Sequence, residues 1–259
     1  MFEKSSNPIF GRTNYKNSAF AFGNTEVMTM NGTVNKTFAM LMIIIVAASL
    51  TWKAALPYTM GVDGGIMLKN PGLVTGLMIA GVIGGLITAI ITIFKKEWSK
   101  ITAPIYAIME GLFLGGLSAW VESMFPGLVI KAVMLTFGVF FLMLIAYRMK
   151  IIKPTQKLMM GIVIATAAVG LFYLVQMILN MFGVTLPTQG NGWIGIGFSL
   201  LVVGIAALNL ILDFKMVEDG VNQGAPKYME WYASFGLMVT LIWLYIEILN
   251  LLMKLQSRD

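Results

Sequence analysis

The sequence contains no cysteine and no histidine. The absence of cysteine excludes disulfides, thiolate metal sites and cysteine nucleophiles. The absence of histidine excludes imidazole-ligated haem or zinc and catalysis by a histidine base. Histidine is also the side chain that ordinarily titrates near neutral pH. Any response of this protein to pH near neutrality therefore has to come from its carboxyl groups.

Charged residues are scarce as well. They make up 12% of the 259 residues, whereas hydrophobic residues make up 58%, and the mean hydropathy is +0.82. A soluble domain would carry about 25% charged residues. The apolar residues come in blocks of the length, about 20 residues, that a helix needs to cross a bilayer. The predicted fold class is all-α: a polytopic membrane protein with a bundle of seven transmembrane helices, whose surroundings are the lipid bilayer.

Proline- and glycine-rich turns, such as Pro126-Gly127 and Gly190-Asn191-Gly192, separate seven apolar blocks. Residues 1–33 lack the apolar core of a signal peptide, which predicts a polar cytoplasmic tail. Phe10, Phe20 and Phe22 of this tail are expected to touch the membrane interface. Residues 34–255 form the predicted seven-helix bundle, and the turn at Asp63-Gly64-Gly65 follows its first span. The predicted spans are 36–57, 73–94, 101–123, 127–148, 157–182, 193–214 and 228–253.

The net charge of +6 does not indicate nucleic-acid binding, because the basic residues lie at the ends of the apolar blocks. With the N-terminus in the cytoplasm, thirteen basic residues lie inside and five outside, which is the bias of a positive-inside protein. Seven spans then place the C-terminus outside. The alternative is that 220–234 lies along the interface, or that one span is re-entrant, which would return the C-terminus to the cytoplasm. The inside set is Lys4, Arg12, Lys16, Lys36, Lys95, Lys96, Lys100, Arg148, Lys150, Lys153, Lys157, Lys215 and Lys227, and the outside set is Lys53, Lys69, Lys131, Lys254 and Arg258.

Helix packing in lipid depends on small residues, because lipid provides little hydrophobic drive between helices. Gly81 and Gly85 form a GxxxG motif in the second span, and Gly111 and Gly115 form another in the third. We interpret both motifs as packing faces.

Three acidic residues, Glu110, Asp213 and Glu247, fall inside predicted spans. An ionised carboxylate at the bilayer centre costs about 2.5–3.5 kcal/mol, so such residues normally face the interior of a bundle. Polar residues recur at helical spacing around them, which predicts a common polar interior. This interior either holds the helices together by hydrogen bonds or lines a path for ions or protons. The polar lines are Thr166, Tyr173, Gln176 and Asn180 in the fifth span, Ser199, Asn209 and Asp213 in the sixth, and Gly236, Thr240, Trp243, Glu247, Asn250 and Lys254 in the last.

Two carboxylates brought together in a low-dielectric interior would share one proton and titrate as a unit. Ionised, Asp213 and Glu247 would offer hard oxygen ligands to a cation. Calcium requires six to eight oxygens, so Asn209, Asn250, backbone carbonyls or water would have to complete its shell. Protons and calcium would then compete for the same oxygens.

Two segments of the chain resemble a known family. Residues 210–214, Leu-Ile-Leu-Asp-Phe, close the sixth span, and residues 244–252, Leu-Tyr-Ile-Glu-Ile-Leu-Asn-Leu-Leu, lie in the last. With the Glu110-Gly111 pair and the number of spans, they are similar to the Bax inhibitor-1 family, also called transmembrane Bax inhibitor motif proteins. The polar tail and the run Glu230-Trp231-Tyr232 resemble a bacterial branch of it, which implies the bacterial plasma membrane.

The resemblance implies a pH-sensitive calcium leak gated by an acid pair on the last two helices, at the positions of Asp213 and Glu247. Calcium would be the transported ion, and no cofactor is expected. Here the second acid is Glu rather than Asp. In addition, 34 positions separate the two acids, and Asp213 lies near the cytoplasmic end of its span.

The depths of Asp213 and Glu247 in the membrane decide whether the two acids can meet. If the last helix begins at 228, Glu247 lies about 28 Å above its start. The two acids would then meet only if 220–234 runs partly along the membrane or the last helix begins later. By depth, Glu230 is a rival partner for Asp213.

A second function is compatible with the sequence: a non-conducting regulator that binds another membrane protein, such as a quality-control protease, through its polar tail. An enzyme is not expected. Asp213 follows Asn209-Leu210-Ile211-Leu212 and therefore lacks the GxGD signature of intramembrane aspartyl proteases.

Overall fold

The computed structural model of the chain describes residues 26–56, 59–60 and 66–257. Seven long α-helices follow one another along these residues, with a pair of two-residue antiparallel strands between the first two helices. The elements are α1 (Met30–Ala55), β1 (Thr59–Met60), β2 (Ile66–Met67), α2 (Pro71–Phe94), α3 (Ser99–Met124), α4 (Leu128–Arg148), α5 (Gln156–Met181), α6 (Trp193–Asn222) and α7 (Met229–Gln256), with short 3-10 turns at Lys96–Trp98 and Pro187–Gln189.

All seven helices are long and apolar enough to cross a membrane, which confirms the predicted fold class. The predicted spans coincide with them except at two ends. The first helix begins at Met30, six residues before the predicted start at 36, and α6 continues to Asn222 instead of ending at 214. Most of the predicted tail, including Phe10, Phe20 and Phe22, and the predicted turn at 63–65 lie outside the described residues.

The helix boundaries follow from local chemistry. Thr29 caps α1 by accepting a hydrogen bond from the Gly32 amide at 3.0 Å, and Thr155 caps α5 in the same way. Pro71 occupies the first turn of α2, where its missing amide hydrogen is not needed. Gly127 joins α3 to α4 with a φ of 80°, a conformation that favours glycine.

The last helix, α7, is the core of the bundle. It packs against α1, α3, α4 and α6. In its most apolar 18-residue window 61% of the residues are buried, compared with 11% for α5, which packs mainly against α6. Most of α7 therefore contacts other helices, whereas most of α5 is exposed on the outside of the bundle.

The two GxxxG motifs are packing faces, as predicted. A Cβ on Gly111 would lie 2.6 Å from the Ala47 Cβ of α1, and one on Gly115 would overlap the backbone of Ala48. On α2, a Cβ on Gly81 would lie 2.6 Å from the Met109 carbonyl oxygen of α3. The glycines let these backbones approach at distances that no larger residue permits.

The chain passes from α6 into α7 through a short turn, residues 223–228, in which Gly224 has a φ of 64°. Residues 220–222 belong to α6 and residues 229–234 to α7. The interfacial segment considered for 220–234 is therefore not formed. The last helix, α7, also does not begin late. Neither of the two conditions under which Asp213 and Glu247 would meet is therefore fulfilled.

Candidate functional site

The carboxyl group of Asp213 projects from α6 toward α7. A Cβ on Gly236 would lie 3.6 Å from Asp213 Oδ1, and the Thr240 hydroxyl is within hydrogen-bonding reach of the carboxyl group. Its other oxygen, Oδ2, is buried and has no hydrogen-bond partner among the described residues. Asp213 is therefore level with residues 236–240 of α7.

Glu247 lies on α7 and faces α5. Its Oε1 accepts a hydrogen bond from the Tyr173 hydroxyl at 2.7 Å and another from Trp243 Nε1 at 3.1 Å. Its Oε2 is buried and, within the described part of the chain, unpartnered. Both donors are neutral groups. Of the ion pairs formed by the described residues, none includes Asp213 or Glu247.

The structure does not bring Asp213 and Glu247 together. Glu247 lies seven residues beyond Thr240, which corresponds to about 10 Å along the axis of α7. The two carboxyl groups occupy different depths and face different neighbours, so they do not form the pair that would share one proton. The depth count from the sequence anticipated this separation, because α7 begins at Met229, one residue after the predicted start.

Glu230 is not the partner of Asp213 either. Its side chain is fully buried at the start of α7, where its Oε1 accepts hydrogen bonds from the amide and the hydroxyl of Thr29, both at 2.9 Å. Its Oε2 is paired with Lys36 of α1, and Lys227 lies 3.4 Å from Oε1. Glu230 thus joins α1 to α7, two turns away from the level of Asp213.

Glu110, on α3, lies apart from both Asp213 and Glu247. It faces α2, where a Cβ on Gly85 would come within 2.7 Å of its Oε1, and Tyr106 of the preceding turn is its hydrogen-bonding neighbour. The three intramembrane acids therefore do not share one interior.

The polar lines of α5, α6 and α7 do face one another in part. Besides the contact between Tyr173 and Glu247, Asn209 of α6 donates to Thr166 Oγ1 of α5 at 2.7 Å. Asn209 also donates to the Ile205 carbonyl in its own helix, so it is not directed at Asp213. Asn250 is half-buried three residues beyond Glu247.

Calcium would find few ligands at either acid. Among the described residues, no three Asp or Glu side chains come together in a way that could hold a metal ion. Asp213 offers one carboxylate and one neighbouring hydroxyl, far below the six to eight oxygens of a resident calcium ion. This donor set does not fit a structural calcium site.

Lys254 is a buried cation that the sequence placed at the outer end of the last span and on its polar line, without a partner. It is 7% exposed and donates to the Thr188 carbonyl at 2.8 Å, the Gly195 carbonyl at 3.3 Å and Ser199 Oγ at 2.9 Å. It joins α7 to the start of α6 at the end of the bundle opposite Glu230. Its place on the polar line of Glu247 was the available signal.

Comparison with known proteins identifies one family. A family model described as "Bax inhibitor 1 like" matches residues 7–257, which is nearly the whole chain. No curated protein and no solved structure shows a significant match to the chain.

Proposed function

Because the chain belongs to the Bax inhibitor 1 like family, we propose that this integral membrane protein is a pH-sensitive calcium leak in which Asp213 and Glu247 line the cation path as two separate stations. The observation that carries the proposal is that each of these two acids has one buried oxygen with no hydrogen-bond partner in the part of the chain that the structure describes. A buried carboxyl oxygen without a partner is costly unless a proton or a passing cation occupies it.

The hydrogen-bonding neighbours of both acids are neutral groups, and the charge that acts on Glu247 is the ammonium group of Lys254, two turns further along α7. Protonation and cation binding are therefore alternatives at each acid. With a proton bound, each carboxyl group is neutral and the path holds no negative charge. When the proton leaves, the carboxylate attracts a cation. Cation occupancy is then expected to be brief, because each station provides too few oxygens to retain calcium. Calcium enters this proposal as the transported ion and not as a cofactor, and the proposal involves no catalysis.

The separation of the two acids changes how the protein would respond to pH. A shared-proton pair would switch as one unit, whereas separate carboxyl groups titrate independently. In this proposal Asp213 and Glu247 each contribute their own step to the pH dependence of the leak, and each step survives the removal of the other acid.

The direct test is calcium flux into liposomes that contain the purified full-length protein. Flux is expected to rise from acid to neutral pH, because ionisation places negative charge in the path. Asp213→Asn and Glu247→Gln are each expected to lower flux at neutral pH by about tenfold, equivalent to about 1.4 kcal/mol. The double variant should lose the pH dependence altogether.

Asp219→Asn is the matched control, because Asp219 lies six residues after Asp213 on the same helix and forms only a partly exposed pair with Lys215. Its flux should equal that of the wild type. If the double variant conducted like the wild type at every pH, the two acids would have no role in permeation. If the wild type did not conduct at all, the non-conducting regulator that binds another membrane protein would become the better hypothesis.

The proposed orientation is N-terminus in the cytoplasm and C-terminus outside, in a bacterial plasma membrane. The bias of thirteen to five basic residues supports it. The absence of cysteine permits a clean test, because a single introduced cysteine is the only thiol. Ser257→Cys should react with a membrane-impermeant maleimide on intact cells, whereas Lys153→Cys should react only after permeabilisation. The reverse pattern would invert the topology, and labelling of both from outside would contradict an odd number of spans.

A further inference from the structure

A cavity of about 730 Å³ lies between α1, α4, α6 and α7. This volume falls within the range of about 300–1,000 Å³ that is typical of ligand sites. Its wall is mainly apolar and includes five phenylalanines. The principal wall residues are Phe38 and Leu41 from α1, Phe137, Phe140 and Phe141 from α4, and Phe214 from α6.

The cavity lies where the bundle faces lipid. Phe38 of α1 and Phe141 of α4 line it, and these side chains are 62% and 54% exposed. Both helices pack against α7, and the cavity occupies the space between them. An acyl chain could therefore enter from the bilayer without crossing a polar barrier.

The cavity has one charged end. Arg148, Lys150 and Lys153 line it there, at the end of α4 and in the segment that follows. None of the three forms an ion pair with any other described residue. Two other charged side chains, Lys215 and Glu218, line the cavity. Lys215 is paired with Asp219, and Glu218 accepts a hydrogen bond from the Tyr147 hydroxyl.

The backbone after α4 turns sharply so that this basic segment lies at the cavity. Lys150 has a φ of 56°, a left-handed conformation that side chains other than glycine and asparagine rarely adopt. The amides of Ile151 and Ile152 both point back to the Ala146 carbonyl. Ile152, Lys153 and Pro154 consequently line the cavity, although they are outside the helix.

We propose that this cavity binds an anionic phospholipid, with an acyl chain between α1 and α4 and the phosphate at Arg148, Lys150 and Lys153. An apolar wall beside three cations that form no ion pair within the described residues matches a ligand with a hydrocarbon chain and a negative headgroup. Calcium does not fit this site, because the basic residues would repel a cation. The N-terminal tail is a poor occupant, because residues 1–25 contain three basic residues and one acidic residue and would be repelled by the same cations.

The test is a binding titration of the full-length protein in neutral detergent with phosphatidylglycerol, phosphatidylcholine or inorganic phosphate, read by native mass spectrometry. Phosphatidylglycerol is expected to bind at least about tenfold more tightly than phosphatidylcholine, because each basic residue near an anionic headgroup adds to the attraction. Inorganic phosphate alone should not bind measurably, because it has no chain to place against the apolar wall.

Two variants locate the site. The triple variant Arg148→Gln, Lys150→Gln, Lys153→Gln should lose about tenfold or more in affinity for phosphatidylglycerol. The matched triple variant Lys95→Gln, Lys100→Gln, Lys157→Gln removes the same charge at the same end of the bundle but outside the cavity, and it should bind like the wild type. Val34→Trp narrows the cavity without changing its charge, so it should weaken the binding of both lipids.

Several outcomes would overturn the proposal: equal binding of the two lipids, equal losses in both triple variants, or tight binding of inorganic phosphate. Each outcome would show either that this basic segment does not bind the headgroup or that the apolar wall does not bind an acyl chain. The leak does not enter this test, so the lipid site and the proposed function can fail separately.

Discussion

Replacing Glu230 with alanine is expected to lower the free energy of unfolding by about 3–5 kcal/mol, because the change breaks a buried ion pair and leaves its partners behind. Glu230 is fully buried and is the acceptor for Thr29 and the ion-pair partner of Lys36. Without it, the ammonium group of Lys36, whose side chain is 19% exposed, would lack its counter-charge. The start of α1 would lose its attachment to α7.

The loss of stability should be measured by thermal unfolding of the purified protein in detergent. The unfolding midpoint is expected to fall by on the order of 10 °C. Asp219→Ala breaks the partly exposed pair with Lys215 and is the matched control, with an expected loss of about 0.3–0.5 kcal/mol. Lys36→Met combined with Glu230→Gln should lower the free energy of unfolding by less than the sum of the two single changes, because the pair then leaves no buried charge behind. Lys227, the other cation beside Glu230, is 37% exposed and keeps contact with water. Equal midpoints for Glu230→Ala and the control would show that the pair does not hold the two helices.

Replacing Gly115 with alanine is expected to destabilise the bundle by about 1–3 kcal/mol through overpacking. The new Cβ would overlap the backbone of Ala48 in α1, and backbone cannot move aside as a flexible side chain can. Alanine is otherwise the better helix former by about 0.5–1 kcal/mol, so any loss is due to the contact and not to the helix itself. Larger residues at this position should prevent α1 and α3 from packing.

Gly138→Ala provides the control, because a Cβ on Gly138 of α4 would meet no atom within 4 Å. Its unfolding midpoint should stay unchanged or rise slightly. The comparison of the two variants in one thermal unfolding series separates helix propensity from helix contact. If both substitutions raised the midpoint, the close approach of α1 and α3 would not be present in the protein.

The sequence identified the acids that matter to the bundle, but not how they are arranged. Asp213 and Glu247 could be recognised because a carboxyl group within an apolar block is rare and has to face protein. Their pairing could not be recognised, because it depends on where α7 begins relative to α6. The structure places Asp213 beside Gly236 and Thr240, and it places Glu247 beside Tyr173.

The contact between Glu230 and Lys36 shows the same division. Both residues lie near helix ends, where charged residues are ordinary, and depth counting suggested Asp213 rather than Lys36 as the partner of Glu230. They are 194 positions apart, and only the packing of the first helix on the last makes them partners. Lys254, which reaches Thr188 and Ser199 across the other end of the bundle, is a second example.

By itself the sequence determined the class of the protein, the number of its helices and nearly all of their ends. These properties depend on hydropathy, on the length needed to cross a bilayer and on local turn chemistry, all of which are written in consecutive residues. Only the tertiary structure decided which helix is central, which polar residues meet and where a cavity remains. Those properties depend on the depth and rotation of each helix against its neighbours, which are set by contacts between residues far apart in the chain.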